Sequence, residues 1–435
     1  MKLWIDHSFD EELWGGPAFD GRADFYEQLK CTGVGCRTNP IFDVFGLVNS
    51  TYLFDTDVDD TVTFANCTNK SPQSLGHTIG EELIMFAGND GWNSNPQVFG
   101  SHGPKPFDDP TGYYSVNPPT GGSNNKKKFN TRWQAIEETD GRGYYTRQEH
   151  VTPHIGATAF TNYLSPDDRE DLRKEYMMKP YTKKEYKQMA KDTLENTKSF
   201  ASNETEKTII SWFDDKLNLI STTFAQIALG FRNWKLEDTA YYLQGYIMLE
   251  YDGVVVNWRS KVENDHVRPT TVVHQLLDDE TTDNWQRGLD GVTEYPADKW
   301  DAYIRVMPHS EHPSGSACIC TGVMKWSAYA LRVGYDEQFP LIYNHPMNSN
   351  RFERRLPTVE FNSTYSSHKE VADKCGRTRI DGGMHFEASV VAGGKKYILV
   401  GVSRFVYFSC PNYSSPLHPS GKIQCVVVIW CSTKE

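Results

Sequence analysis

Ser165-Pro166-Asp167-Asp168, Tyr181-Thr182-Lys183-Lys184-Glu185 and Ser202-Asn203-Glu204-Thr205-Glu206 are three helix starts in close succession, and they decide the fold. Ser165 is an N-cap residue whose hydroxyl can accept from a free amide of the first turn. Pro166 has no amide to waste there, and the two aspartates lie at the positive end of the helix dipole. The second start opens a helix running to about Lys198. The third continues through Ile209, Trp212 and Phe213, which recur at helical spacing. Leu236–Arg259 follows as a long apolar-faced segment that must be largely buried. No linker-like break interrupts this succession, so the reading is an all-α chain with one large helical domain.

Upstream, Leu75, Ile79, Leu83 and Phe86 predict a further helix over Ser74–Ala87. Residues 1–70 read as irregular and aromatic-rich. Residues 88–130 read as loop, with Lys126–Lys128 as a solvated tip. Only Gln424–Cys431, in a tail of no derivable role, is β-prone.

The net charge is −12, which excludes a nucleic-acid binder needing a basic surface, and a small anion would need its own local cations. No apolar run of membrane-spanning length occurs, so no membrane helix is expected. Met1-Lys2-Leu3-Trp4-Ile5-Asp6 turns acidic too soon for a signal peptide. Six N-x-Ser/Thr sequons, at Asn49, Asn66, Asn69, Asn203, Asn362 and Asn412, nevertheless lean towards secretion. The nine cysteines show no zinc spacing; Cys31–Cys36 and Cys425–Cys431 are candidate disulfides that the sequence does not assign.

Three separated motifs carry chemistry. In Lys261-Val-Glu-Asn-Asp-His-Val-Arg268-Pro269, seven residues make nearly two helical turns, which puts both cations on one face. Pro269 disfavours helix at Arg268 and frees it to reach inward. Trp258 lies near the same face as a pocket wall. In Glu311-His312-Pro313-Ser314-Gly315-Ser316, a turn feeds the helical-looking Cys318–Val333 and presents amide donors to an anion. In Arg379-Ile-Asp-Gly-Gly-Met-His385, Gly382-Gly383 breaks the helix so that arginine and imidazole can converge. Each motif alone has a bland explanation: solvated cations, a capped helix, a core histidine. Together they supply two guanidinium forks, an ammonium, a serine–glycine turn and an imidazole, a set matched to one small oxyanion.

Lys261-x6-Arg268-Pro269, Pro313-Ser314-Gly315-x and Arg379-x5-His385, in that order, resemble the motif set shared by vanadium haloperoxidases and type 2 phosphatidic-acid phosphatases. Asp109-Pro110-Thr111-Gly112-Tyr113, Asn117-Pro118-Pro119, Trp133-Gln134 and His150-Val151-Thr152-Pro153-His154-Ile155-Gly156 are similar to segments of the haloperoxidase branch. The likeness runs over roughly residues 75–405. It implies two four-helix bundles with the site between them, over a domain 71–408 that is preceded by 1–70 and followed by the tail 409–435. It also implies vanadate as cofactor, its oxygens held by Lys261, Arg268, Ser314, Gly315 and Arg379, with His385 as the axial ligand to vanadium. Hydrogen peroxide, a halide and a small organic acceptor would be the partners, with oligomerisation left open.

The chain departs from the family pattern at two positions. Ser316 stands where the second motif ends in histidine, and serine is no acid near neutral pH. His309 aligns with a second active-site histidine of bromoperoxidase-type members and, with His312, is a candidate for the proton role. Ser389 replaces the family's acid four residues after the axial histidine, leaving Asp381 or Glu387 to orient His385. Haloperoxidase is the leading expectation. A phosphomonoesterase with His385 as nucleophile and an oxyanion binder with impaired turnover are the alternatives.

Overall fold

The computed structural model describes residues 90–92, 109–115, 129–139, 143–158, 164–227, 236–286 and 291–394. All of them belong to one unit, Gly80–Glu435. The helix over Ser74–Ala87, the Lys126–Lys128 tip, Asn117-Pro118-Pro119, the β-prone tail, both candidate disulfides and four of the sequons lie outside the described residues. Asn203 and Asn362 lie within them, and both are exposed.

The chain is largely α. Helix α1 (Pro166–Tyr176) starts at Ser165 and α2 (Lys183–Ser199) at Thr182, each through a reciprocal capping box with the acid three residues on. Helix α3 (Glu204–Asp214) is capped by the Asn203 side chain, and α4 (Lys216–Ala225) by Asp215. Helix α5 runs over Leu236–Asn264, and α6 (Pro269–Leu276) begins at the proline after Arg268. Helix α7 (Gly315–Leu331) is capped by Ser314, α8 (His368–Asp381) by Ser367, and the short α9 spans Glu387–Gly393. The strands form three separate two-stranded antiparallel ribbons: β1 (Glu137–Thr139) with β2 (Tyr145–Arg147), β3 (Thr281–Trp285) with β4 (Val292–Pro296), and β5 (Leu341–His345) with β6 (Phe361–Tyr365). No described helix is long and apolar enough to cross a membrane.

Helix α7 packs against both α5 and α8, so the three motif-bearing helices share one interior. A disulfide, Cys320–Cys375, ties α7 to α8. Tyr186, Val272, Val273, Trp300 and Phe386 belong to one apolar cluster, and Phe200, Ile210, Trp285, Tyr303 and Met384 to a second. Each large side chain so buried is worth about 1.5–3 kcal/mol. Met384 anchors in one cluster and Phe386 in the other, which fixes His385 between them.

Candidate functional site

Helix α5 does not run on to Arg268, as the seven-residue spacing suggested. It stops at Asn264, and Asp265 takes a left-handed backbone (φ 49°). The Asp265 carboxylate accepts from Tyr113 Oη (2.6 Å) and Arg132 Nε (2.7 Å), and its carbonyl from Trp133 N (2.7 Å). Upstream chain thus clamps the turn that aims Arg268 back at Lys261. Arg268 is the N-cap residue of α6 in an extended conformation, the state forced on a residue before proline.

Lys261 is fully buried and donates to the carbonyls of Ser310 (3.0 Å), Glu311 (3.2 Å) and Pro313. It thereby staples the 310–313 loop to α5. Burial, with the Arg268 charge, drives its ammonium well below the usual lysine range, and Glu311 opposes that shift. Arg268 donates through Nε to the His309 carbonyl (2.9 Å), through Nη2 to His309 Nδ1 (2.8 Å), and through Nη1 to the Met384 carbonyl (3.0 Å) and His385 Nε2 (3.2 Å). Burial lowers it to about 10, so it stays charged at neutral pH.

These contacts assign the histidine tautomers. A guanidinium only donates, so His385 Nε2 accepts, and its proton sits on Nδ1, 3.0 Å from Glu311 Oε1. Burial and the Arg268 and Lys261 charges hold His385 well below the ordinary imidazole range, so it is neutral. The result is an unprotonated Nε2 whose lone pair meets the Arg268 guanidinium. His309 Nδ1 lies 2.8 Å from Arg268 Nη2 and 3.1 Å from the Ser310 carbonyl; the shorter, charged contact makes it an acceptor and puts the proton on Nε2. It too is held neutral, by burial and then by Lys261 and Arg268. Its ring lies 5.1 Å from Trp258, whose Nε1 donates to the Val151 carbonyl.

Glu311, rather than Asp381 or Glu387, orients His385. Its carboxylate accepts from His385 Nδ1, from Phe386 N (3.0 Å) and from Ser389 Oγ (2.5 Å). Burial pushes it up, while Ser389, Arg268 and the Phe386 amide pull it back. Asp381 instead pairs with Arg377 (2.7 Å), and Glu387 is exposed. The acid missing at position 389 is thus supplied 78 residues upstream, and Ser389 bridges to it. Sequence reasoning missed Glu311, although the residue lies in the motif already quoted; the signal was an acid three residues before the serine–glycine turn.

His312 is committed elsewhere, with Nε2 on the Tyr176 carbonyl (3.0 Å) and Nδ1 on Ser389 Oγ (3.0 Å). Ser316 is half-buried on the first turn of α7, and its hydroxyl makes no hydrogen bond among the described residues. Ser314 Oγ caps α7 by accepting from Ala317 N (3.3 Å). At Gly315 a methyl group would meet Asn257 Oδ1, Trp258 and Lys261 Cε at 3.5, 3.7 and 3.8 Å, ordinary contact distances. The glycine therefore leaves a notch about one heavy atom deep beside Asn257, Trp258 and the lysine stem.

Arg379 is where the structure differs most from expectation. After α8 ends at Gly382–Gly383 (Gly383 φ 76°), the amides of Met384 and His385 both donate to the Arg379 carbonyl, so the backbone does double back. The guanidinium, however, donates to Asp214 Oδ1 (2.7 Å) and to the Ile210 carbonyl (3.3 Å) on α3. It reaches His385 only through its charge. Lys261, Arg268, Ser314, Gly315, His309 and His385 are brought together; Arg379 stands behind them, paired.

The donor set suits a small oxyanion. Two buried cations, a glycine notch and an acceptor nitrogen lie close together, and among the described residues the only carboxylate touching His385 lies on its far ring nitrogen.

A family described as "VCPO second helical-bundle domain" matches residues 244–404. Among solved structures, the chain is similar to a holo-type bacterial vanadium-dependent chloroperoxidase at 19% identity and a TM-score of 0.69, over 83% of this chain and 76% of that one. It is similar to the apo-type bacterial enzyme at 19% identity and a TM-score of 0.67, over 80% and 77%. At that identity the likeness establishes the fold. No curated protein sequence matches the chain.

Proposed function

We propose that this chain is a haloperoxidase of the vanadium-dependent type that uses vanadate and hydrogen peroxide to oxidise a halide, a reading supported by the match of residues 244–404 to the VCPO second helical-bundle domain and by the fold shared with a bacterial vanadium-dependent chloroperoxidase. The observation that carries this reading is the tautomer of His385, which leaves Nε2 unprotonated and turned to the Arg268 guanidinium. A metal ligand must offer that lone pair, and a Glu311-type carboxylate on the opposite nitrogen raises its basicity.

Lys261, Arg268, the Ser314 hydroxyl and the Gly315 amide would hold vanadate oxygens, and His385 Nε2 would be directed at vanadium. Bound vanadate supplies a Lewis acid that activates peroxide without changing its own oxidation state. This chain's residues do the rest. Arg268 fixes both imidazoles through its two terminal nitrogens, Glu311 holds the His385 proton away from the anion, and Arg379 adds positive field from behind its Asp214 pair. His309 Nε2–H is a hydrogen-bond donor, but a neutral imidazole is too weak an acid to replace the family histidine at Ser316 as a proton source.

That last point supports a second reading: an oxyanion-binding member with impaired turnover. Phosphomonoester hydrolysis fits less well, because an alkoxide leaving group needs the acid that Ser316 lacks.

The experiment is a halide-by-halide peroxidase assay on the apoprotein before and after vanadate addition. Vanadate-dependent bromide or iodide oxidation, abolished in Lys261→Ala, supports the proposal. Vanadate binding without turnover supports the second reading, and neither binding nor turnover overturns both.

A further inference from the structure

Asn257 lies one helical turn before Lys261 on the same face of α5, and its side chain is 4% exposed. Its amide hydrogen-bonds the buried thiol of Cys318 on α7, while Oδ1 has no partner among the described residues. That oxygen lies 3.5 Å from the point a side chain on Gly315 would fill, beside Lys261 Cε at 3.8 Å. A buried acceptor left unpaired is costly, and this one faces the Gly315 position beside the Lys261 side chain. Lone pairs of a fully deprotonated oxyanion would repel it. The complement to an unpaired acceptor beside a cationic side chain is an oxyanion that keeps a hydroxyl group.

We propose that Asn257 is a specificity residue of the oxyanion pocket: its Oδ1 accepts a hydrogen bond from a hydroxyl of the bound anion, selecting protonated oxyanions such as phosphate and vanadate over sulfate. The inference rests on the oxyanion-site reading and deepens it. At neutral pH phosphate and vanadate carry at least one O–H, and sulfate carries none, although the three are similar in size and shape.

The test uses the full chain at pH 7.5 and measures inorganic phosphate and sulfate binding by calorimetry, with orthovanadate as a third probe. Wild-type protein is expected to prefer phosphate by about tenfold or more, the scale of one buried hydrogen bond made or missed. Asn257→Leu should lose that preference by weakening phosphate and vanadate while leaving sulfate unchanged or tighter. Asn257→Asp, which keeps an acceptor in place, should retain the preference even as both anions weaken. Anion-free melting curves establish that both variants are folded, and if Asn257→Leu fails to fold, the anion ratio of Asn257→Asp decides. Equal phosphate and sulfate affinity in the wild type, with both weakened by Arg268→Ala, overturns the role of Asn257 and leaves the site standing. So does equal weakening of both anions in Asn257→Leu. Wild-type protein that binds neither anion overturns the site reading itself.

Discussion

Removing the Glu311 carboxylate tests how His385 is held. In the wild type it accepts from His385 Nδ1, Phe386 N and Ser389 Oγ at 3.0, 3.0 and 2.5 Å. In Glu311→Ala the serine can turn to His312 Nδ1, already 3.0 Å away, so two donors lose their partner. Each orphaned buried donor costs about 1–3 kcal/mol, giving about 4 kcal/mol for the pair. Loss of the acid that opposes burial at both Lys261 and Arg268 acts in the same direction. Glu311→Gln keeps one carbonyl oxygen for these donors and is expected to cost about half as much, roughly 2 kcal/mol. Urea unfolding at pH 7.5 measures both. With His385 free to turn, vanadate affinity in Glu311→Ala should fall about 10- to 100-fold, the usual effect of losing a ligand's hydrogen-bond partner. An alanine variant within about 1 kcal/mol of wild type and with unchanged anion affinity would refute the assigned role.

Two further outcomes follow from the same interior. His150, His266, His312, His345 and His368 are all held at about 4 by burial, below the unperturbed value near 6.5. In that window the unfolded chain binds more protons, so stability is full above about pH 6.5 and falls as pH drops, by about 1 kcal/mol per histidine between pH 7 and 5.5. The raised carboxyls of Glu311 and Asp265 act oppositely at lower pH; denaturant midpoints across pH 7–5.5 that stay flat would contradict the burial of these rings. The second outcome contrasts two glycines. A methyl group on Gly393 would sit 2.3 Å from the Ser314 carbonyl oxygen, whereas one on Gly315 meets nothing closer than 3.5 Å. Gly393→Ala should therefore lose about 1–3 kcal/mol and displace the Ser314 turn, while Gly315→Ala should stay within about 1 kcal/mol and lose anion affinity by filling the notch. Unfolding curves and phosphate titration on both variants check the contrast.

Local signals carried the helices. Ser165, Thr182 and Asn203 cap where their side-chain chemistry predicts, because capping is settled within four residues. Motif order likewise brought Lys261, Arg268, the Ser314–Gly315 turn and His385 into one place. What the sequence hid depends on partners far along the chain. The left-handed turn at Asp265 is held by Arg132 and Tyr113, more than a hundred residues earlier, so helical periodicity overran it. Arg379 finds Asp214 across 165 residues, and no spacing rule points there. Glu311 was visible but assigned no role, since its partners Phe386 and Ser389 approach only after α8 turns back. Asn257 reads as an ordinary helix residue until its empty oxygen is seen.

The Cys320–Cys375 bond closes a loop of 55 residues. Pinning a denatured chain at that separation removes conformational freedom worth about 4 kcal/mol, a sizeable part of a protein's net stability. Both sulfurs lie in the seam between the helix that starts at the anion notch and the helix that carries Arg379, so the crosslink braces the pocket walls as well as the fold. Preparations kept under strong reductant would then be softer at the pocket as well as easier to melt, and oxidation state becomes a variable to fix before any binding constant is compared.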